Sequence, residues 1–402
     1  MARITSKASI GGCLAPTARV TSKTSIGGCL APTARISSKT SKGGCLAPMV
    51  RITSKTSRGR VAMKKIVVVS LAVLFMFSYG CGSDKTFGNE DNVLKIGFIY
   101  ETMTVERWLR DRDIFVAKAE NLGAQVIVKD AYEDSDRQKE IGMEMINQGV
   151  KVLVIVAYDK DSLKDLVKYA HSHNVKVIAY DRMVKDAGVD FYISFDNSEV
   201  GYMMGKSATE QIPEGNYLIL NGSQRDDNSF MLNDGYYSVL QPFIEKGDIN
   251  IVGEAWINAW RDEVSYDYVS KILNSGQKID AIIAANDQIA EGAITALSEN
   301  RLAGKVFVTG QDAELGACRR IVEGTQGSTV YKPINILAEG AAEIAVKMAA
   351  DEDIGPYEVM SDGENNIRCR IYQPQLVTKS NIDDTVIKDG FFTAEQVYAN
   401  LP

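Results

Sequence analysis

The chain has 402 residues, with 45 Lys and Arg against 52 Asp and Glu and only two His. Eleven basic residues lie in the first 62 positions and two more at Lys64 and Lys65, whereas every acidic residue follows Cys81, so the part from Cys81 onward carries a net charge near −20. An acidic body argues against a nucleic-acid-binding protein. Because His171 and His173 are the only histidines and lie at a predicted helix end, a Ser-His-Asp or Cys-His arrangement is also excluded.

Residues 1–62 repeat with a period of 16, in three full copies from Ala2 and a partial fourth. Solenoid repeats are usually longer and carry an apolar stripe, which these copies lack. A basic arm for nucleic acid or membrane is one interpretation, and a metal-binding array of Cys13, Cys29 and Cys45 is another. We favour a third, in which residues 1–62 are an over-extended reading frame through repetitive DNA and not part of the native protein.

A second start lies at Met63, followed by two lysines and an apolar run over residues 66–77. This run is shorter than the roughly 20 residues that a transmembrane helix needs. We therefore predict a signal peptide over residues 63–80.

The end of this signal resembles a bacterial lipobox, which predicts Cys81 as the lipidated first residue and residues 81–93 as a tether. Ser78 and Tyr79 depart from the usual lipobox residues. An ordinary signal peptide that is cleaved nearby is the alternative.

From Leu94 onward, short apolar runs alternate with amphipathic stretches of helical length. Such alternation predicts parallel βαβ units and an α/β fold. The alternation restarts once, which predicts two doubly wound, Rossmann-like lobes, about residues 94–195 and 197–330. On its own, the remaining tail is most simply a continuation of the second lobe. Predicted strands cover residues 94–100, 125–129, 152–156, 175–180, 191–195, 217–220, 249–255, 281–285 and 306–309.

Many of these strands end in charged, amide or aromatic residues. Ligands of open α/β sheets bind beyond the carboxyl ends of the strands, so we expect these clusters to form one pocket. Arg, Asp and Asn bind neutral hydroxyls, and Trp stacks on sugar rings. The combination favours a binder of a small polyol or sugar over an enzyme.

The pocket prediction competes with simpler explanations at the first strand ends. Trp108, beside Arg107, is either a sugar-stacking ring or a helix core residue. Asp181 is expected to orient the Arg182 guanidinium, which is otherwise an ordinary surface ion pair. Trp260 is predicted as a second pocket aromatic opposite Trp108, and the nearby Trp256 as a core residue.

Later strand ends carry residues that also suit helix caps. At least one of Asp226, Asp227 and Asn228 is expected to be a cap, and the adjacent acids also suggest a divalent cation, which we consider the weaker interpretation. Asn286 and Asp287 end one predicted strand, Gln311 and Asp312 end another, and each is either a pocket residue or a cap of the next helix. Lys332 is by default a surface lysine.

Two further features carry no function in this interpretation. Residues 201–207 look like a phosphate-binding loop, but they have three residues between the glycines where four are needed, and they lie in a predicted helix. Cys318 and Cys369 are expected to be unpaired.

The order of these clusters resembles the periplasmic sugar-binding proteins of ABC importers, and in particular their xylose branch. The resemblance extends from about Leu94 to the C-terminus and is carried by the segments ERWLRDRDIFVAKAE, VKVIAYDRM, DFYISFDN, AIIAAND, VTGQDA and TVYKP. It implies two Rossmann-like lobes joined by three hinge crossings and closing on a sugar. It also implies that about residues 333–371 return to the first lobe and about residues 372–402 to the second.

The resemblance further implies nine ligand-binding side chains, three from the first lobe and the rest from the second lobe and hinge. Asp227 departs from the family pattern, which more often has Asn there, and residues 221–225 also differ. The nine are Arg107, Trp108, Arg182, Asp226, Asn228, Trp260, Asn286, Asp312 and Lys332.

These features together predict a lipid-anchored, extracytoplasmic receptor that captures a monosaccharide, D-xylose first, and delivers it to an ABC transporter permease. We expect a monomer with no catalytic residue, no metal, no cofactor and no nucleic-acid partner. A sugar sensor acting on a membrane kinase or chemoreceptor is the main alternative. A transcription regulator is disfavoured by the signal peptide, and a sugar hydrolase built on Asp226 and Asp312 by their expected role as ionised acceptors.

Overall fold

The computed structural model describes residues 93–401. The predictions for the repeats, the signal peptide, the Cys81 lipid anchor and nearly all of the tether lie outside the described residues. Within the described part, none of the helices combines the length and the apolar character that crossing a bilayer requires.

The described chain alternates strands and helices, and most of the predicted elements are found. Its strands are β1 (Leu94–Tyr100), β2 (Ala124–Asp130), β3 (Val152–Ile155), β4 (Lys176–Tyr180), β5 (Phe191–Phe195), β6 (Gly215–Asn221), β7 (Ile249–Trp256), β8 (Ala281–Ala284), β9 (Phe307–Val308), β10 (Thr329–Tyr331), β11 (Glu358–Ser361), β12 (Asn366–Tyr372) and β13 (Gln375–Val377). Its helices are α1 (Glu106–Asn121), α2 (Ser135–Asn147), α3 (Lys164–Ser172), α4 (Asn197–Gln211), α5 (Asp227–Lys246), α6 (Asp262–Asn274), α7 (Asp287–Glu299), α8 (Leu315–Glu323), α9 (Ile334–Ala349) and α10 (Ala394–Val397).

The first lobe is built on a seven-stranded sheet with the order β11-β12-β5-β4-β3-β1-β2. All neighbours are parallel except β11 and β12. Parallel sheets are covered on both faces, so their strands are apolar throughout. Accordingly, every residue of β3 is buried, and separate apolar clusters cover the two faces of the sheet, one around Phe98 and Phe115 and the other around Leu153 and Leu166.

The second lobe is built on a parallel four-stranded sheet with the order β7-β6-β8-β9. Two helices of this lobe, α4 and α5, cross at glycines. A Cβ on Gly201 would lie 2.2 Å from the carbonyl oxygen of Leu232, and one on Gly235 would lie 2.2 Å from that of Ser198. Gly201 and Gly205, the glycines of the segment that looks like a phosphate-binding loop, therefore lie inside α4 and allow it to pack closely against α5.

The chain passes three times between the two sheets. It leaves the first sheet after β5, returns through α9, which packs against the same apolar cluster as β1, and leaves again after β12. Beyond that last passage, β13 pairs antiparallel with β10. This is the α/β architecture of two lobes and a three-crossing hinge. The tail therefore does not simply continue the second lobe, since α9 and β12 belong to the first.

The structure also shows the surroundings of the cysteines, the histidines and Trp256. Cys318 and Cys369 are free and buried in different apolar clusters, as expected. His171 and His173 are both exposed at the end of α3. Trp256 is not a core residue: it is only half-buried, and its ring lies 4.9 Å from that of Phe230.

Candidate functional site

One pocket lies between the two sheets, at the carboxyl ends of their strands. Each sheet contributes residues that directly follow a strand, as the strand-end pattern predicts. All nine side chains predicted from the sequence line this pocket: Arg107, Trp108, Arg182, Asp226, Asn228, Trp260, Asn286, Asp312 and Lys332. Glu101, Asp181 and Gln311 line it as well.

Arg182 is held by two carboxylates from opposite lobes. Its Nη1 atom lies 2.5 Å from Oε2 of Glu101, and its Nε atom lies 2.8 Å from Oδ2 of Asp226. Burial raises the pKa of Asp226 to about 6, although the nearby Arg182 acts in the opposite direction. Burial likewise raises the pKa of Glu101, again against the effect of Arg182. The guanidinium therefore bridges the cleft, and it is not the surface ion pair of the simpler explanation.

Arg107 forms the second bridge across the cleft. Its guanidinium pairs with Asp181 in the first lobe, and its Nη1 atom lies 3.5 Å from Oδ1 of Asp312 in the second. Lys332 in turn lies 2.8 Å from the same oxygen of Asp312. Burial opposes the ionisation of Asp181, but Arg107 and Lys332 outweigh it and lower the pKa of this carboxyl.

The partner of Asp181 differs from the prediction. Asp181 was expected to orient its neighbour Arg182, but its carboxylate pairs with Arg107, 74 residues earlier in the chain. The φ angle of Asp181 is +63°, an uncommon value for a residue other than glycine. This backbone turn separates the directions of the two adjacent side chains, which proximity in the sequence does not reveal.

Trp108 lies both in the apolar core and in the pocket wall. It is 3% exposed and packs in the apolar cluster of the first lobe, yet it also lines the pocket. Its Nε1 atom donates to Glu101 at 3.3 Å, and the Arg107 guanidinium lies 4.6 Å from its ring centroid. Trp108 is therefore a core residue, and its stacking on a sugar stays a prediction.

Trp260 is placed by an unusual turn after β7. A short 3-10 segment, Asn258–Trp260, carries it into the pocket, with φ angles of +53° at Ala259 and +59° at Trp260. Left-handed backbone outside glycine is costly and is found preferentially at functional sites. The Nε1 atom of Trp260 is buried without a hydrogen-bond partner among the described residues.

Two pocket residues also cap helices, so the simpler explanation holds for them without displacing the functional one. Asp226 accepts from the backbone N–H of Asn228 at the start of α5, and Asn286 accepts from that of Ile289 at the start of α7. Asp312 caps no helix, because α8 begins after Glu314. The cap explanation for Asp312 is therefore wrong.

The pocket holds unsatisfied groups of both hydrogen-bonding types. Besides the Nε1 donor of Trp260, the Oε1 acceptor of Gln311 is buried without a partner in the described part of the chain. A buried polar atom without a partner costs about 1–3 kcal/mol. A ligand that both donates and accepts, as a hydroxyl does, matches this pair of atoms.

Comparison with known proteins assigns the family. The periplasmic binding protein domain matches residues 96–353. The chain belongs to the periplasmic binding protein family. It is 44% identical over 299 residues to the D-xylose-binding periplasmic protein of Escherichia coli, covering 74% of this chain and 91% of that protein. The D-xylose-binding periplasmic protein of Haemophilus influenzae is 43% identical over 306 residues, covering 76% of this chain and 92% of that protein.

A solved structure supports the same fold. The carbohydrate transporter solute binding protein of Chloroflexus aurantiacus, in complex with D-glucose, superposes with a TM-score of 0.71 at 27% identity. The match covers 75% of this chain and 98% of that one. The two lobes and hinge described above are thus those of a type I periplasmic binding protein.

Glu101 lines the pocket of this periplasmic binding protein directly after β1 but was not predicted from the sequence, whereas Gln311 was named as a strand-end residue. The strand-end rule, applied to every strand, would have found Glu101. No local signal in the sequence indicates that Asp181 forms an ion pair with Arg107, because this pairing depends on the backbone turn after β4.

Proposed function

We propose that this protein captures a monosaccharide, D-xylose first, between its two lobes and delivers it to an ABC transporter permease. One observation carries the proposal: Arg107 and Arg182 each pair with carboxylates from both lobes, next to Trp108 and Trp260 in one pocket. The identities of 44% and 43% to two D-xylose-binding proteins support the choice of sugar.

The pocket suits a small polyhydroxylated ring. Buried carboxylates and guanidinium groups form charge-assisted hydrogen bonds, which are about twice as strong as neutral ones. Indole faces pack against the C–H faces of a sugar, and their N–H groups bond its hydroxyls. Since the polar groups come from both lobes, only the closed form satisfies all of them, and the sugar shifts the hinge equilibrium toward closure.

We further propose that the protein breaks no bond in its ligand. A hydrolase needs one carboxylic acid that is free to donate a proton and a second carboxylate as base or nucleophile. Asp226 lies 2.8 Å from Arg182, and Asp312 lies 2.8 Å from Lys332, so each carboxylate is paired with a cation. Release of xylose from aryl xylosides during prolonged incubation would refute this part of the proposal.

The cellular setting that we propose is the outer face of a bacterial membrane, with the protein monomeric and anchored through a lipid on Cys81. Intact mass of the natively expressed protein tests the anchor. A diacylglyceryl or triacylated species beginning at Cys81 is expected, and replacement of Cys81 by Ala abolishes it. An unlipidated species beginning at Met1 would contradict both the anchor and the assignment of residues 1–62.

Ligand binding is tested by a thermal-shift and calorimetric screen of the chain from residue 83 against pentoses and hexoses. A ligand that binds only the native state raises the melting temperature by mass action. The expected result is a large shift with D-xylose, lost in Arg182→Ala and in Trp260→Ala. A shift only with another monosaccharide corrects the ligand, and no shift with any monosaccharide refutes the proposed function.

A further inference from the structure

Glu101 lies directly after β1 and lines the pocket, but neither the strand-end pattern nor the resemblance named it as a site residue. Its residue exposure is only 6%. A carboxylate at this depth needs hydrogen-bonding partners to offset its desolvation. Its partners therefore indicate what it does.

Both partners are proposed sugar-binding side chains. The Oε1 atom of Glu101 accepts from Nε1 of Trp108 at 3.3 Å, and Oε2 accepts from Nη1 of Arg182 at 2.5 Å. An indole N–H and a guanidinium can only donate, so the group between them has to accept twice. A single carboxylate thereby fixes one residue of α1 relative to another in the loop after β4.

The two acidic partners of Arg182 belong to opposite lobes. Asp226 precedes α5 in the second lobe, whereas Glu101 follows a strand of the first lobe, as Arg182 itself does. When the lobes separate, Asp226 moves away with α5, and Glu101 stays beside Arg182. In the open cleft, Glu101 is then the counter-charge that keeps the guanidinium in its binding geometry. Groups that are held in place before binding lose less conformational entropy when the ligand arrives.

We propose that Glu101 is a positioning residue of the sugar site, which holds the Arg182 guanidinium and the Trp108 ring in their binding geometry in the open and closed forms. This inference rests on the proposed sugar-binding function. It goes beyond that function by assigning a role to a residue that acts through two others.

The first test compares Glu101→Gln with Glu101→Asp by calorimetry with D-xylose. Glutamine has the same size, but it loses the charge and turns an N–H toward one of the two donors. The dissociation constant should rise at least about tenfold, as expected for a lost charge-assisted hydrogen bond. Aspartate keeps the charge and should recover part of the affinity. A change below about threefold in Glu101→Gln would overturn the proposal.

Asp362→Asn is the matched control. Asp362 is also a fully buried carboxylate, and it accepts from the backbone N–H groups of Ala187 and Gly188 at 3.0 and 2.8 Å, but it does not line the pocket. This variant should lower the melting temperature and leave the dissociation constant for D-xylose unchanged. Loss of affinity in the control equal to that in Glu101→Gln would attribute the effect to general destabilisation and overturn the proposal.

A double-mutant cycle with Arg182→Ala separates positioning from direct contact with the sugar. If Glu101 acts through Arg182, Glu101→Gln should cost much less affinity in the Arg182→Ala background than in the wild type. NMR titration reaches the weak binding that these variants require. An equal loss in both backgrounds would show that Glu101 does not act through Arg182, and would overturn the positioning of that guanidinium.

A ligand-free measurement distinguishes failure of this inference from failure of the proposed function. The chain has three tryptophans, so its NMR spectrum should contain three indole N–H signals, and Trp108→Phe identifies the one from Trp108. Glu101→Gln should move that signal, and Asp362→Asn should not. If no sugar binds the wild type and the signal still moves, the proposed function fails while the positioning role stands. An unmoved signal overturns the positioning of Trp108 whatever the ligand is.

Discussion

The Trp260 ring occupies the space in which a side chain at Gly222 would begin. A Cβ on Gly222 would lie 2.2 Å from Cη2 and 2.4 Å from Cζ2 of Trp260, and 2.4 Å from Oγ of Ser229. These distances are shorter than any real contact, so either the ring or the backbone has to move. The absence of a side chain at Gly222 and the left-handed backbone at Trp260 together fix the position of this ring in the pocket.

Gly222→Ala should therefore weaken sugar binding by displacing Trp260. We expect the dissociation constant for D-xylose to rise at least about tenfold, which corresponds to about 1.4 kcal/mol. The measurement is calorimetry, with the melting temperature recorded alongside. Gly316→Ala is the control, because its added Cβ lies in an exposed position of α8 and approaches only the flexible ends of Arg320, at 3.2 Å, and Glu291, at 4.0 Å, among the described residues. Unchanged affinity in Gly222→Ala would show that Trp260 is not held by this contact.

The neighbours Asp226 and Asp227 should behave differently when neutralised. Asp226 is 3% exposed and pairs with Arg182 at 2.8 Å, whereas Asp227 lies 3.6 Å from Lys185 and does not line the pocket. Asp226→Asn removes one of the two counter-charges of a buried guanidinium and should raise the dissociation constant at least about tenfold. Asp227→Asn should change it less than about threefold.

This pair of variants has the same chemical change at adjacent positions, so each is the control for the other. Calorimetric titration of both with D-xylose is the measurement. Similar losses in the two variants would indicate that the charge near the start of α5 matters rather than the bridge to Arg182. That outcome would also weaken the assignment of Asp226 as a pocket residue.

A contact away from the pocket should slow the release of sugar. Arg110 of α1 donates to the carbonyl oxygen of Phe391 at 3.1 Å, and its guanidinium lies 4.8 and 4.5 Å from the ring centroids of Phe391 and Phe392. These rings pack with the second lobe near α8, so the contact joins the lobes. Arg110→Ala should make sugar dissociation roughly two- to fivefold faster, because a cation–π contact contributes about 0.5–1 kcal/mol.

Stopped-flow displacement of D-xylose, followed by tryptophan fluorescence, measures this rate. Arg112→Ala is the control, since among the described residues Arg112 forms an ion pair only with its neighbour Asp113 on the same helix. Equal rates in the wild type and Arg110→Ala would contradict the role of this contact in keeping the lobes closed.

The buried Asp287 should make the second lobe less stable as the pH rises. Its carboxylate accepts from Thr329 and Gln326, both at 2.8 Å, but burial still raises its pKa to about 7 from 3.8. The native state then holds this proton more tightly than the unfolded state does. The stabilising contribution of this proton is present below about pH 4 and is lost as the pH rises to about 7.

Urea unfolding of wild type and Asp287→Asn between pH 4 and 7 tests this prediction. The variant cannot titrate at this position, so its stability relative to wild type should increase with pH. Asp280→Asn is the control: burial disfavours ionisation of Asp280, but the hydrogen bond from Lys278 outweighs it and lowers its pKa. Wild-type stability from Asp280 is lost only as the pH falls below about 4, so the curve of Asp280→Asn should stay parallel to that of the wild type between pH 4 and 7. Parallel curves for Asp287→Asn and wild type would contradict the raised pKa.

Most of the fold follows from local patterns in the sequence. Buried strands such as β3 are continuous apolar runs, and the helices between them have the length that parallel βαβ units need. One strand is shorter than predicted because of pairing: β9 pairs only over Phe307–Val308, whereas the predicted strand covers residues 306–309.

The sequence predicted which residues line the pocket better than it predicted the ion pairs between them. The strand-end pattern and the resemblance together named nine side chains that the structure brings into one pocket. The pattern did not predict that Asp181 forms an ion pair with Arg107, or that Asp312 forms one with Lys332 instead of capping a helix. It also did not predict that Trp256 is half-buried. Each of these depends on a backbone turn or a contact between segments that are distant in the chain.

The sequence by itself thus determined the alternation of strands and helices and the chemistry at the strand ends, because burial and chain direction are local properties that the residue pattern records. Only the tertiary structure decided which charges meet. Arg182 pairs with Glu101, 81 positions earlier, and Arg107 pairs with Asp181, 74 positions later. Electrostatic pairing depends on distance in space, and the two sheets and the hinge set that distance.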